Sequence, residues 1–211
     1  KPITTSLFCH LLLVQLSLSI LSTYASQTCI WSGLGDGVSW HDAANWSPAP
    51  PATGDSVTID AGTLLLSAST PQLNAFTMSG GTLTFTNWTT TLQASIITLS
   101  GNALFTLPAP FSDTDMSNRV SIVCDSLHID STSKIDVSGQ GFLALSGPAI
   151  PGGYGGGSHG GGAKAYGCPF AADTPGGSGG GSGGNPQWGG AGGGVVIIET
   201  GHLQLEGKIV A

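Results

Sequence analysis

The residues best suited to chemistry in this chain are its acids. Asp113 with Asp115, and Asp125 with Asp130 and Asp136, form two groups in a sequence that is only 8% charged. Paired carboxylates cleave glycosidic bonds when they face each other across a cleft at about 5 to 9.5 Å. Asp113 and Asp115 fall in FSDTDMSN, after a proline-bounded turn, where Asp is common for its turn hydrogen bonds alone. A lyase also needs a cation beside the site, and beyond residue 25 the chain offers Arg119, Lys134, Lys164 and Lys208. With acids dispersed and cations sparse, no catalytic residue and no enzyme activity is expected.

Asp36, Gly37, Asp42 and Asn45 supply oxygen ligands of the kind calcium takes. They lack the spacing and the closing Glu of an EF-hand, so no metal and no cofactor is expected. His41, His128, His159 and His202 are scattered without metal-ligand spacing. Ser158 before His159 sits among glycines without the strand and helix that a nucleophile elbow requires. A phosphate cradle fails for want of a Lys-Ser or Lys-Thr pair after the glycines.

Two sequons remain, Asn87-Trp88-Thr89 and Asn45-Trp46-Ser47, the second weakened by Pro48. Both are candidate N-glycosylation sites in a eukaryotic secretory context. Cys29, Cys124 and Cys168 are the disulfide candidates; three is odd, so one pair and one unpaired thiol is the simplest arithmetic, with the pair open.

These residues must be positioned by two different materials. Of the 34 glycines, 24 lie between Gly139 and Gly194. A net charge of −7 with five Lys and Arg excludes a phosphate-neutralising surface, so no nucleic-acid partner is expected. Residues 1–25 read as a secretory leader: the apolar run LFCHLLLVQLSLSIL is short for a bilayer span, and Thr23, Tyr24 and Ala25 present a small-x-small site with a cut after Ala25. No membrane association is expected once it is removed. Residues 26–54, with Trp31, Trp40 and Trp46 separated by turn residues, read as a tryptophan-rich cap.

From residue 55 the period becomes two, with Val57 and Ile59 on one face. Thr77 to Leu83 aligns with Thr98 to Leu104 at an offset of 21, and related alternation recurs at Leu64, Ile129 and Leu203. Repeats of that length cannot bury an apolar face alone and stack instead, which predicts an all-β fold, a parallel β-helix-like solenoid over 55–138. Residues 139–194 form a glycine-rich insert with Tyr154, Tyr166, Phe170 and Trp188, bulky residues that a free linker has little use for. Threefold glycine helices packed backbone to backbone are expected there. Residues 195–211 return to strand.

The run from IDVSGQG through GGYGGGSHGGGAKAYGCPF to GGAGGGVVIIETGHLQLEG resembles the glycine-rich module of large secreted or surface proteins of protists, algae and some bacteria. It is also similar to the extracellular glycine-rich domain of the anaplastic lymphoma kinase receptor family. WSGLGDGVSWHDAANWSPAPPATGDSVTIDAG looks like the start of bacterial surface β-solenoids. The resemblance implies a secreted, extracellular structural or adhesive module, and it brings no catalytic residue with it. The expected function is therefore a non-enzymatic building block of a cell-surface filament, sheath or adhesin. Its expected partners are copies of itself or other surface proteins. The alternatives are a glycan-binding or ice-binding module, the latter suggested by the threonines of TFTNWTTTL, and more remotely a carbohydrate-active β-helix enzyme.

Overall fold

The computed structural model describes residues 25–111, 117–143 and 190–211. The leader up to residue 24 and the glycine-rich residues 144–189, with the glycine helices expected there, lie outside the described residues.

Twelve strands follow one another: β1 (Thr28–Trp31), β2 (Trp46–Ser47), β3 (Ser56–Ile59), β4 (Thr63–Leu66), β5 (Leu73–Met78), β6 (Thr82–Phe85), β7 (Leu92–Leu99), β8 (Leu104–Thr106), β9 (Val120–Ile129), β10 (Lys134–Asp136), β11 (Val196–Leu205) and β12 (Lys208–Val210). The described residues contain no α-helix, only a 3-10 turn at Ala43–Asn45. The fold is all-β, as its β-branched, period-two sequence predicts. One sheet has the order β11-β9-β7-β5-β3-β1-β2 and the other β12-β10-β8-β6-β4. Every strand pair is parallel except β1 with β2. From β3 onward the chain alternates between the sheets and advances one strand at each return.

Register places like residues above one another. Val57, Phe76, Ile97 and Leu127 form one column of paired positions, and Ile59, Met78, Leu99 and Ile129 the next. Leu64, Leu83, Phe105 and Ile135 form the facing column of the second sheet. All are buried. Burying each such side chain contributes about 1.5–3 kcal/mol, so the columns are the main stabilising term. Phe76 and Phe85 meet the edge of Phe105 at centroid distances of 5.9 and 5.5 Å, which ties the sheets together.

The 21-residue repeat is correct in the first sheet and slips by one in the second. Thr77 pairs with Thr98 and Met78 with Leu99. Leu83, however, pairs with Phe105 and not with Leu104. Side chains alternate faces along a strand, so a column stays apolar only if Leu83 lies beside the buried Phe105; Leu104 faces outward. The added residue is absorbed in the turn before β8, where Gly101 and Asn102 both take left-handed backbone, at φ 61° and 69°.

The turn between β9 and β10 is tied to that turn by side chains. Asp130 Oδ1 accepts from the N–H groups of Thr132 (3.0 Å) and Ser133 (2.8 Å), and its Oδ2 accepts from Gly101 N (3.1 Å). Thr132 Oγ1 and Ser133 Oγ accept from Asn102 N and Ala103 N. Short polar side chains thus pair turn N–H groups that no strand ladder reaches.

The glycine-rich insert leaves and rejoins the sheets at one place. Gly141 N donates to Gly192 O (2.7 Å), Gly192 N to Phe142 O (2.8 Å) and Gly194 N to Val137 O (2.8 Å). Gly194 must lack a side chain, because a Cβ there would stand 2.9 Å from Val137 Cβ and 2.8 Å from Leu107 Cδ1. Phe111 packs edge-on against Phe142 at 5.2 Å beside this junction.

Candidate functional site

Two polar groups lie at the β1 end of the first sheet. The first is the loop from Gly33 to Asn45, which folds inward on Asn45. Asn45 Oδ1 accepts from Gly35 N (2.9 Å) and Gly37 N (3.0 Å), while Nδ2 donates to Asp36 Oδ1 (2.7 Å) and Ser39 O (2.9 Å). Asp36 Oδ1 also accepts from Val38 N and Ser39 N, and these donors hold its carboxyl below the usual range. Asp42 caps the 3-10 turn through Ala44 N and reaches Asp36 N with its other oxygen. The oxygens considered for calcium therefore converge on protein N–H groups. Among the described residues no group of three His, Cys, Asp or Glu side chains is placed to hold a metal.

The loop supports three tryptophans. Trp46 meets Trp31 and Trp40 edge-on at 5.1 and 4.7 Å, and Trp40 stacks on Phe76 at 6.1 Å. Trp46 Nε1 donates to Trp40 O at 2.7 Å. The rings and the antiparallel β2 cover the end of the apolar columns. β1 itself is a parallel member of the first sheet, pairing with β3.

The second group centres on Asp55, a residue whose sequence context suggested only the start of a strand. It is 4% exposed and borders a cleft of about 380 Å³ with Ala25, Gln27, Pro50 and Thr53. Its carboxylate accepts from Gln27 N (3.0 Å), Ala52 N (2.9 Å) and Gln27 Nε2 (3.4 Å). Burial pushes this carboxyl up, and the Gln27 and Ala52 donors more than offset it, so it stays below the usual range. Cys29 Sγ lies 3.7 Å from Asp55 Oδ2. Burial, and then the Asp55 charge, pushes the Cys29 thiol up to about 11.

The cysteine expectation is corrected for one pair. Cys29 and Cys124 are both free and buried. They stand on β1 and β9, four strand spacings apart, or about 19 Å at ~4.8 Å per strand, far beyond the ~7 Å limit for a disulfide. Burial raises the Cys124 thiol as well, and it donates to Thr200 Oγ1 at 3.4 Å. Cys168 lies outside the described residues.

Asn45 is also corrected as a glycan acceptor. Its side chain is fully buried and both amide hydrogens are donated, so a sugar on Nδ2 is incompatible with this loop. Asn87 is different: it is exposed in a turn at φ 68°, with Nδ2 donating to Ser67 O at 2.6 Å. Trp88 of the same sequon lies 5.0 Å beneath the Arg119 guanidinium.

Asp125 and Asp130 do not form a facing pair. Asp125 and Asp130 are five residues apart along and just beyond β9, about 16 Å at ~3.3 Å per residue, against the ~9.5 Å a glycosidase tolerates. Asp136 lies on β10 with Lys134 Nζ at 2.7 Å. That partner, with Ser138, holds its carboxyl at about 2. For Asp130, burial pushes upward, and Ser133, Thr132 and Gly101 bring it down to about 2. Neither retains a proton to donate at neutral pH. Asp113 and Asp115 lie outside the described residues, as do Ser158 and His159. His41 Nε2 lies 3.2 Å from Ala68 O, and His128 Nε2 lies 3.8 Å from Glu206 Oε1.

The two carboxyls held at about 2, Asp130 and Asp136, make stability acid-sensitive. Their folded values lie below the unfolded ~3.9, so their contribution is complete above about pH 4 and is lost as pH falls through about 2. Urea midpoints measured at pH 5 and 2.5 should drop for the native chain, and the drop should be smaller for Asp136→Asn.

The threonines of TFTNWTTTL do not form one array: Thr84 faces outward on β6, whereas Thr89 to Thr91 occupy the connection before β7. A short outward row does exist elsewhere, where Thr58, Thr77 and Thr98 are successive partners, ending at His128.

Comparison with curated proteins finds no match, and comparison with solved structures finds none either. A family match does run from the capping Trp40 through β10 to the start of the glycine-rich insert. Residues 40–148, just over half of the chain, match the G8 domain, and the chain belongs to the G8 domain family.

Proposed function

We propose that this chain is a non-enzymatic structural module of an extracellular assembly, a stack of coils closed at one end and joined through the other. The G8 family is one of extracellular domains, which supports the location. The alternation of the chain between two parallel sheets supports the reading of each strand pair as one coil of a solenoid.

The observation that carries the proposal is the difference between the two ends. At β1 the columns finish under three tryptophans and an antiparallel strand. At the other end, Leu203 and Leu205 occupy the positions beside the inward-facing Leu127 and Ile129, yet they are 43% and 45% exposed. Among the described residues β11 and β12 are edge strands, each with a neighbour on one side. An edge with unpaired N–H and C=O groups beside inward-facing leucines is a template for a further strand. β2 and β4 are edge strands as well, but Trp46 of β2 packs in the tryptophan cluster and Ser39 bridges to Leu65 of β4, so that end is covered where Leu203 and Leu205 are not.

The test is sedimentation and electron microscopy of the secreted chain, native and with Leu203→Lys and Leu205→Lys together. Concentration-dependent association that the lysines abolish supports the proposal. A native chain that stays monomeric at high concentration overturns it.

Asn87 is the proposed site of N-glycan. From a eukaryotic host, Asn87→Gln should migrate with the enzymatically deglycosylated native protein and show no further shift on glycosidase treatment.

A further inference from the structure

Asp55 is a buried carboxylate with no cationic partner among the described residues, where Lys134 pairs with Asp136 instead. Buried charges are ordinarily paired, because desolvation is costly. The groups around Asp55 are neutral donors: two backbone N–H groups, an amide and a thiol. The cleft beside it opens between Asp55 and Ala25, the residue after which the leader is expected to be cut.

Hydrolysis of the Ala25–Ser26 amide by water leaves a carboxylate on Ala25 and an α-ammonium on Ser26. Gln27 N lies 3.0 Å from Asp55 Oδ1, and Ser26 N is separated from Gln27 N by a single residue, at most about 3.7 Å. The new ammonium therefore forms within about 7 Å of the carboxylate, before any rearrangement. Ser26 is already held against this segment, its Oγ donating to Gly54 O at 2.7 Å. Departure of Ala25 removes one wall of the cleft and frees the Ser26 nitrogen to turn toward Asp55.

We propose that Asp55 is the receptor for the α-ammonium of a chain beginning at Ser26, so that leader removal completes an ion pair that locks β1 onto β3. The uncut chain has a neutral amide at that position and cannot make the pair. The only premise shared with the proposed function is that a leader is removed, and the pairing can be tested without reference to assembly.

The experiment uses four proteins: the chain from Ser26 to Ala211, the same chain acetylated on its α-amino group, and the Asp55→Asn variant in both forms. In the unmodified chain, NMR titration of the isotopically labelled α-amino group should give a pKa about one unit above the ordinary ~7.8. A raised value means that the added stability is full below about pH 8 and is lost as pH rises through the folded value. At pH 7 acetylation should lower Tm by about 3–5 °C. In Asp55→Asn, acetylation should change nothing. An ordinary α-amino pKa with a Tm indifferent to acetylation overturns the proposal; so does an acetylation effect of equal size in Asp55→Asn. If Asp55→Asn fails to fold, the native titration and acetylation pair decide alone. Association measured on the same samples reports on the proposed function separately, so either idea can fail without the other.

Discussion

Phe105→Ala is expected to cost about 3–5 kcal/mol, measured as a lower urea midpoint at unchanged slope. Phe105 is completely buried, lies between Leu83 and Ile135 in its column, and touches Phe76 and Phe85. It is the ring that joins the columns of both sheets. Its deletion removes transfer energy and leaves a void that parallel strands, fixed by their ladders, close only in part. Against a total stability of about 5–15 kcal/mol, such a loss is a large share of what keeps the chain folded. Phe105→Leu keeps more of the volume and should lose less. An alanine variant within about 1 kcal/mol of the native chain would mean that the columns do not pack as described.

Asn45→Ala should be nearly as damaging, at about 3 kcal/mol, for a different reason. One amide makes four hydrogen bonds inside the loop, and its removal strands Gly35 N and Gly37 N, while Asp36 Oδ1 keeps Val38 N and Ser39 N and Ser39 O keeps Asp42 N. Each buried group left unpaired costs about 1–3 kcal/mol, and water reaching the more exposed Gly35 softens the sum. Asn45→Asp is no rescue. It keeps the acceptor toward the glycines but sets a carboxylate oxygen against Asp36 and the Ser39 carbonyl. Tryptophan fluorescence during urea unfolding checks this directly, because the loop carries Trp40 and abuts Trp46 and Trp31. Both variants should shift the transition to lower urea.

How far these sites were legible depended on how local their physics is. Val57 and Ile59 were readable as inward because alternation is a property of the strand itself. The stacking of Thr77 on Thr98 was readable because repeated residues mark repeated surroundings. The one-residue slip at Leu104 was not, since only the facing Leu83 shows which residue must turn inward. Asn45 looked like a glycan acceptor because a sequon is a three-residue pattern, whereas its burial depends on Gly35, Gly37 and Ser39. Cys29 and Cys124 looked pairable because counting carries no distance. Asp55 drew no notice, since what makes it unusual is its approach to Gln27, 28 residues earlier.

By itself, then, the sequence determined the all-β class, the period of two and the stacking repeat. These follow from side-chain type and short spacing, which act within a strand or between neighbouring repeats. The tertiary structure alone decided the register of the second sheet, the separation of the cysteines, the closure of one end by tryptophans and the exposure of Leu203 and Leu205 at the other. Each of those depends on which distant residue is brought opposite, and that is set by the packing of columns across the whole stack.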